Sequence, residues 1–258
     1  MERLTLDQRR NPTSPVPTQR GQRTIVLLHG MMGNVTNWQA TIRHFRDRYH
    51  LIPIEFPLYE PEAPYYNVQS LTEFVRRRLD ERRVRKAVLF GNSMGGQVAL
   101  NLAYEYPKRV AALVLTGSAG LLERNLADGR TPLKPSREWI RERVLEIFYD
   151  PAHATDEIVD EVLTILSSTR NKLRLIKLAR ALRQYNMHEI LPMIKCPTLL
   201  VWGRQDTITP VKAGEMFAKR MPDARIHILD RCGHAPNIEQ PEAFNLLAEQ
   251  FLREIGYR

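Results

Sequence analysis

Six short apolar runs recur along the chain, and most are followed by stretches in which apolar residues return every three or four positions. Thr24-Ile25-Val26-Leu27-Leu28, Ala87-Val88-Leu89-Phe90 and Thr198-Leu199-Leu200-Val201-Trp202 are the clearest runs. A continuous apolar run of this length bounded by turn residues reads as a strand buried on both faces, and a 3.6-residue recurrence reads as an amphipathic helix. The pattern predicts strands near 24–29, 51–56, 86–91, 110–116, 198–202 and 225–229, and helices near 36–48, 69–83, 94–106, 211–220 and 241–254. Strands alternating with helices imply an α/β fold, a mostly parallel, doubly wound sheet covered on both faces. Ligands bind such sheets at the carboxyl ends of the strands.

The alternation breaks between Ser118 and Pro197, where the periodicity is helical and no strand is evident. Ser136 caps a predicted helix over Arg137–Tyr149, with Trp139, Ile140, Val144, Leu145 and Ile147 at helical spacing. Thr155 caps a second with Ile158, Val159, Val162, Leu163 and Leu166, and Leu173, Leu175, Ile176, Leu178 and Leu182 mark a third. Residues 1–20 are charged and proline-bearing and read as an irregular lead-in, with room for little more than a short strand at Arg3 to Leu6.

Composition fits a soluble enzyme: 258 residues, 43% hydrophobic, with no apolar run near the roughly eighteen residues of a membrane span. The lead-in has no apolar segment of the signal-peptide kind, so the expected location is cytoplasmic. Cys196 precedes one predicted strand and Cys232 follows the next; in parallel strands the thiols lie ~15–20 Å apart. A disulfide needs Cα atoms within about 7 Å, so both thiols are expected to be free. The net charge of +9 is carried largely by arginine. One basic run, Arg76-Arg77-Arg78 with Arg82, Arg83, Arg85 and Lys86, is broken by Asp80 and Glu81. The other, Arg170, Lys172, Arg174, Lys177, Arg180 and Arg183, has no acid within it. No nucleic-acid motif or aromatic stacking platform accompanies either. Solvated helix faces explain both, and weak attraction to an anionic surface or an acidic substrate is the other reading.

The chemistry sits in Gly91-Asn92-Ser93-Met94-Gly95, directly after an apolar strand and before a helical pattern. Gly-x-Ser-x-Gly in that context is a nucleophile elbow, which places Ser93 at a helix N-terminus where developing negative charge is favoured. A serine nucleophile needs a base, and the base needs an orienting carboxylate. Of the seven histidines, His234 lies in the loop Gly233-His234-Ala235-Pro236 after the last predicted strand; His227 is embedded in that strand, and His44, His50, His153 and His188 have no partner motif. Asp206, after the strand ending at Trp202, is the preferred carboxylate, with Asp230 as the alternative. The order Ser93, Asp206, His234 then differs from the two other familiar triad orders. Oxyanion donors are expected at the backbone N–H of Met94 and of Met31, the latter in the turn His29-Gly30-Met31-Met32-Gly33, where Gly30 and Gly33 are expected to take unusual backbone angles. His29 is read as a packing and hydrogen-bonding residue beneath that turn. No His/Cys/Asp cluster has metal-ligand spacing, and no cofactor site is evident.

The motifs His29-Gly30, Gly91-Asn92-Ser93-Met94-Gly95-Gly96, Trp202-Gly203-Arg204-Gln205-Asp206 and Gly233-His234 together resemble the α/β-hydrolase superfamily from about residue 20 to 255. The branch most resembled holds small carboxylesterases, monoacylglycerol-lipase-like enzymes and carbon–carbon hydrolases of meta-cleavage products. The resemblance implies a core at 21–120 and 193–258 interrupted by a helical cap at 121–192. Trp139, Phe148, Leu163 and Leu166 are candidate pocket residues on that cap, although helix packing accounts for the same apolar stripe. Serine rather than aspartate at 93 departs from the dehalogenase and epoxide-hydrolase pattern.

These features lead to the expectation of a Ser-His-Asp hydrolase cleaving small-molecule carboxylic esters of short to medium acyl chains. Carbon–carbon cleavage is the alternative; there the chain departs in having Ala235-Pro236 where that group carries tryptophan, and a less glycine-rich first loop. A carboxylate-binding cap arginine would have to be Arg170, Arg174 or Arg180. Perhydrolysis by the same triad, or ligand binding without catalysis on the same scaffold, are further readings.

Overall fold

The computed structural model describes residues 23–60, 67–122, 132 and 134–258. Six strands, β1 (Thr24–Leu28), β2 (His50–Ile54), β3 (Ala87–Asn92), β4 (Val110–Thr116), β5 (Thr198–Gly203) and β6 (Ala224–Leu229), form one sheet in the order β2-β1-β3-β4-β5-β6. Every pairing among them is parallel. β1, β3 and β5 are buried at every position, which is why their sequences are continuous apolar runs rather than alternations. The outermost strands are written differently. Pro53 sits in β2, where a missing N–H is tolerated at an edge, and β6 alternates so that Arg225 and His227 are exposed. The expectation of a strand at Arg3 to Leu6 lies outside the described residues.

Adjacent side chains on each strand fall into separate cores, and those two apart share one. Val26, Leu28, Leu89, Leu113, Leu115 and Trp202 pack one face against helices α2 (Val68–Glu81), α3 (Met94–Glu105) and α7 (Val211–Arg220). Ile25, Leu27, Phe90, Val114 and Val201 pack the other against α1 (Gln39–Phe45) and α9 (Pro241–Glu254) through Phe45, Phe244 and Phe251. Full burial of each such side chain contributes roughly 1.5–3 kcal/mol.

Between β4 and β5 lie α4 (Arg137–Leu145), α5 (Asp156–Ser167) and α6 (Thr169–Gln184). Ser136, Thr155 and Ser168 accept from the N-terminal backbone of the three in turn, so each helix starts at a side-chain cap. Their facing apolar residues, among them Ile140, Val144, Val159, Val162 and Leu175, make a third core that also takes in Ala235.

Two boundaries differ from expectation. The helix expected at 36–48 is a 3-10 turn over Val35–Trp38 followed by α1, because Asn34 caps the tighter turn through the Thr36 N–H. The helix expected to reach Tyr149 ends at Leu145, because the next backbone groups turn outward to the loop bearing His234. A short helix, α8 (Pro236–Glu239), follows that loop where the sequence suggested loop alone; Pro236 stands in its first turn.

Candidate active site

β3 delivers Ser93 with φ 54° and ψ −119°, a positive-φ conformation that costs a non-glycine residue about 1–3 kcal/mol. The surroundings hold it there. Ser93 N–H donates to Thr116 O at 3.1 Å, and Ser93 O accepts from Gly96, Gln97 and Ala119 at 3.0, 3.2 and 3.1 Å. The spacing of the motif follows from close approach. A Cβ on Gly91 would lie 2.7 Å from Gly95 O, and one on Gly95 would lie 2.2 Å from Leu28 O.

Asp206 follows β5, and its side chain is fully buried. Its Oδ1 accepts from the Ile208 and Thr209 backbone at 2.9 and 2.8 Å, and its Oδ2 from the Thr209 hydroxyl at 2.8 Å. His234 Nδ1 lies 2.9 Å from the same Oδ2. With Nδ1–H donating to that carboxylate, Nε2 is the nitrogen left to accept a proton. Asp230, the alternative, instead pairs with Arg204 at the surface. Asn92 Nδ2 donates to Thr116 O at 3.2 Å and His234 O at 3.3 Å, which ties the residue before the serine to the histidine loop. Gly117 completes the fit: a Cβ there would lie 2.8 Å from His234 Nδ1.

Met94 is the first residue of α3, so its N–H has no carbonyl of the same helix within reach. Met31 lies in a turn closed by Gly33 N–H to Gly30 O at 3.2 Å, and its own carbonyl accepts from Tyr59 Oη at 3.1 Å. Burial drives the Tyr59 phenol well above its ordinary range, so it stays protonated as that donor. The glycines differ from expectation here: neither Gly30 nor Gly33 has positive φ. They serve close approach instead. A Cβ on Gly30 would lie 3.3 Å from Ser93 Cβ, and one on Gly33 would lie 2.4 Å from Asn37 Nδ2. His29 donates from Nδ1 to Gly30 O at 2.7 Å and accepts at Nε2 from Phe56 N–H at 3.1 Å, the supporting role the sequence suggested.

Ser93, Met31 and Met94 open on a cavity of about 170 Å³ beneath α4–α6. Of the four candidate pocket residues, Trp139 and Leu166 line it. Phe148 and Leu163 do not: both pack within the third core, Phe148 with its ring 5.7 Å from that of His153, because the apolar stripe of these helices is shared between cavity and helix–helix contact. Nor do Arg170, Arg174 and Arg180 form its wall; the cations that do are Arg143, Lys172 and Arg183. Arg143 pairs with Glu146 at 2.9 Å and lies over the Trp139 ring.

Sequence reasoning missed Thr209, whose hydroxyl also lies 3.2 Å from His234 Nδ1, and Glu239. Glu239 Oε1 accepts from Gly233 N–H at 2.8 Å, and its Oε2 from Tyr149 N–H at 2.7 Å. The only available signal for Thr209 was its position three residues after Asp206, where a carboxylate closes a turn on the following backbone. Cys196 and Cys232 are free; burial pushes the Cys196 thiol up to about 11 and Cys232 higher still. Among the described residues, no three His, Cys, Asp or Glu side chains group so as to hold a metal ion.

The profile of the Alpha/beta hydrolase family matches residues 25–245. A 2-hydroxy-6-oxononadienedioate/2-hydroxy-6-oxononatrienedioate hydrolase of Cupriavidus pinatubonensis is 30% identical over 91% of this chain and 88% of its own. A 2-hydroxy-6-oxo-6-phenylhexa-2,4-dienoate hydrolase of Comamonas testosteroni is 28% identical over 89% of this chain and 87% of its own. The crystal structure of an alpha/beta hydrolase enzyme from the sediment metagenome of the Mar Chica lagoon, Morocco, superposes with a TM-score of 0.73 at 31% identity, covering 90% of this chain and 91% of the other. By these matches and by its six-stranded parallel sheet, the chain belongs to the alpha/beta hydrolase family.

Proposed function

We propose that this hydrolase cleaves carboxylic esters of short to medium apolar acyl chains by a covalent acyl-enzyme. The observation that carries the reading is the strained Ser93 opening on an apolar cavity walled by Met31, Met94, Trp139, Leu166 and Ile208, beside the Asp206–His234 pair. His234 takes the Ser93 proton at Nε2 as Oγ attacks the ester carbonyl. Asp206 holds the imidazole in the Nδ1–H tautomer and stabilises its charged form. The Met31 and Met94 N–H groups receive the oxyanion. The alcohol leaves with the proton from His234, and water activated by the same nitrogen then releases the acid. In this reading residues 121–192 are a cap on a core of 21–120 and 193–258, and its inner face shapes the acyl site and excludes water. In this reading the protein works in the cytoplasm, a reducing compartment in which its two free thiols stay reduced.

A second reading, hydrolysis of a carbon–carbon bond in a meta-cleavage dienoate, is favoured by the activities for which the two relatives are named and by Arg143, Lys172 and Arg183 on the cavity wall. Initial rates on p-nitrophenyl esters of increasing acyl length and on a 2-hydroxy-6-oxo-dienoate, each with Ser93→Ala alongside, separate the two. Ester turnover peaking at one length and absent in the variant supports the first reading. Serine-dependent turnover of the dienoate alone replaces it with the second. Loss of neither activity in Ser93→Ala overturns both.

A further inference from the structure

The two arginine-rich runs of the sequence have different fates. On α2, Arg76 and Arg77 pair with Glu73, and Arg78 pairs with Glu81, so that helix face is neutralised locally. α6 holds no acid anywhere between Thr169 and Gln184. Among the described residues, Arg170, Lys177, Arg180 and Arg183 have no ion-pair partner.

The outward arc of α6 is not purely polar. Leu173 is 56% exposed and Ile176 39% exposed, and at 100° per residue both fall between Arg170, Lys177, Arg180 and Arg183. The opposite side is already spent on packing, through buried Leu175, Leu178 and Leu182. Apolar side chains set among unpaired cations leave a face that water solvates poorly and that a soluble partner of either sign alone would not satisfy. An anionic lipid surface offers both complements: headgroups for the cations and the acyl boundary for leucine and isoleucine. The same arc runs into the cavity, since Lys172, Ile176, Ala179 and Arg183 of α6 line its wall beside the site opened by Ser93.

We infer that α6 is a docking surface for anionic lipid bilayers, seating the rim of the cavity on the membrane. No span is involved: no helix of the described residues is long and apolar enough to cross a membrane. Its consequence for acyl substrates, entry from the lipid without crossing water, rests on the ester-hydrolase reading; the docking itself does not.

Cosedimentation with vesicles of phosphatidylcholine alone, and of phosphatidylcholine with phosphatidylglycerol, tests it. The full chain and Ser93→Ala are run side by side, so that failure of catalysis leaves the binding result intact. Both are expected to bind the anionic vesicles and not the neutral ones, and less tightly as salt rises. Each cation near the surface contributes roughly fivefold, so R170E/K177E/R180E is expected to lose more than about tenfold in partitioning. Leu173→Ser, which leaves every charge in place, is expected to weaken binding severalfold. Arg77→Glu/Arg78→Glu on α2 is expected to bind as wild type. Thermal melting of each variant establishes that it is folded. Equal binding to both vesicle types, or equal loss in the α2 variant, would overturn the inference. So would capture by soluble polyglutamate that Leu173→Ser leaves unchanged, since that surface would read charge alone.

Discussion

The backbone N–H of His234 donates to the carbonyl oxygen of Ile147 at 2.7 Å. The candidate base is thus anchored to the end of α4, outside the sheet that presents Ser93. Glu239 doubles the tie, with one carboxylate oxygen on Gly233 N–H and the other on Tyr149 and Asp150 N–H. Movement of the helices between β4 and β5 is therefore coupled to the imidazole.

Glu239→Ala leaves these N–H groups without their acceptor, at about 1–3 kcal/mol. For a chain of this size that corresponds to a melting point lower by roughly 2–10 °C. Because the histidine loop loses its fixed distance from α4, the rate in the folded protein is expected to fall about tenfold or more. Glu239→Gln, which keeps one acceptor oxygen, should fall between. A lowered melting point with undiminished kcat would make the tie structural only.

Thr209 shares Asp206 Oδ2 with His234, its hydroxyl standing 2.8 Å from that oxygen. Thr209→Val keeps the shape and removes the donor, freeing the carboxylate to rotate about its backbone-bonded Oδ1. We expect kcat on an ester substrate to drop about three- to tenfold with KM nearly unchanged, since an interaction that orients the base acts mainly in the transition state. Thr209→Ser should restore most of the loss; failure to do so would assign the effect to lost packing of the methyl group.

Gly30 leaves just enough room between the Met31 turn and Ser93. A Cβ there would sit 3.2 Å from Asn92 Oδ1 and 3.3 Å from Ser93 Cβ, contacts that a shift of a few tenths of an ångström relieves. Gly30→Ala should fold, because its backbone is not in the positive-φ region. The shift moves the Met31 N–H away from the oxyanion, and loss of such a donor costs on the order of 10²-fold in kcat. Stopped-flow acylation rates beside a thermal melt check this. Full activity in a folded Gly30→Ala would remove Met31 from the oxyanion site.

The sheet was legible because its strands are buried on both faces and so written as uninterrupted apolar runs, with turns and helix caps between them. Ser93, Asp206 and His234 could be singled out because an elbow motif, a carboxylate and an imidazole each follow a predicted strand of one parallel sheet. What the sequence hid depends on contacts between distant segments. Phe148 and Leu163 carry the same apolar signal as Trp139 and Leu166, and only packing decides which pair faces the cavity. α4 reads as helical through Tyr149, yet its last turn is lost to distant partners: the Glu239 carboxylate accepts from Tyr149 N–H, and His234 N–H donates to Ile147 O. The two arginine runs already differ as strings, since Asp80 and Glu81 break the first; packing adds that Glu73, one turn earlier, takes Arg76 and Arg77.

Glu249 joins α9 to α1: it accepts from His44 Nε2 at 2.8 Å and from Arg48. The hydrogen bond from Arg48, more than any other influence, holds its carboxyl down at about 2, against about 4.3 in the unfolded chain. A carboxyl depressed on folding contributes stability that is fully present above its unfolded pKa and is lost as pH falls through the folded one. The window for Glu249 therefore runs from about pH 5 down to about pH 2, where the unfolded chain binds the extra proton. With 17% of its side chain exposed, solvent screening reduces the contribution to about 1 kcal/mol. Urea melts of wild type and Glu249→Gln should differ by about that amount near pH 7 and converge as the pH approaches about 2. A gap that stays constant across the range would mean that Glu249 holds the helices by shape and neutral hydrogen bonding, and that its charge contributes nothing to their docking.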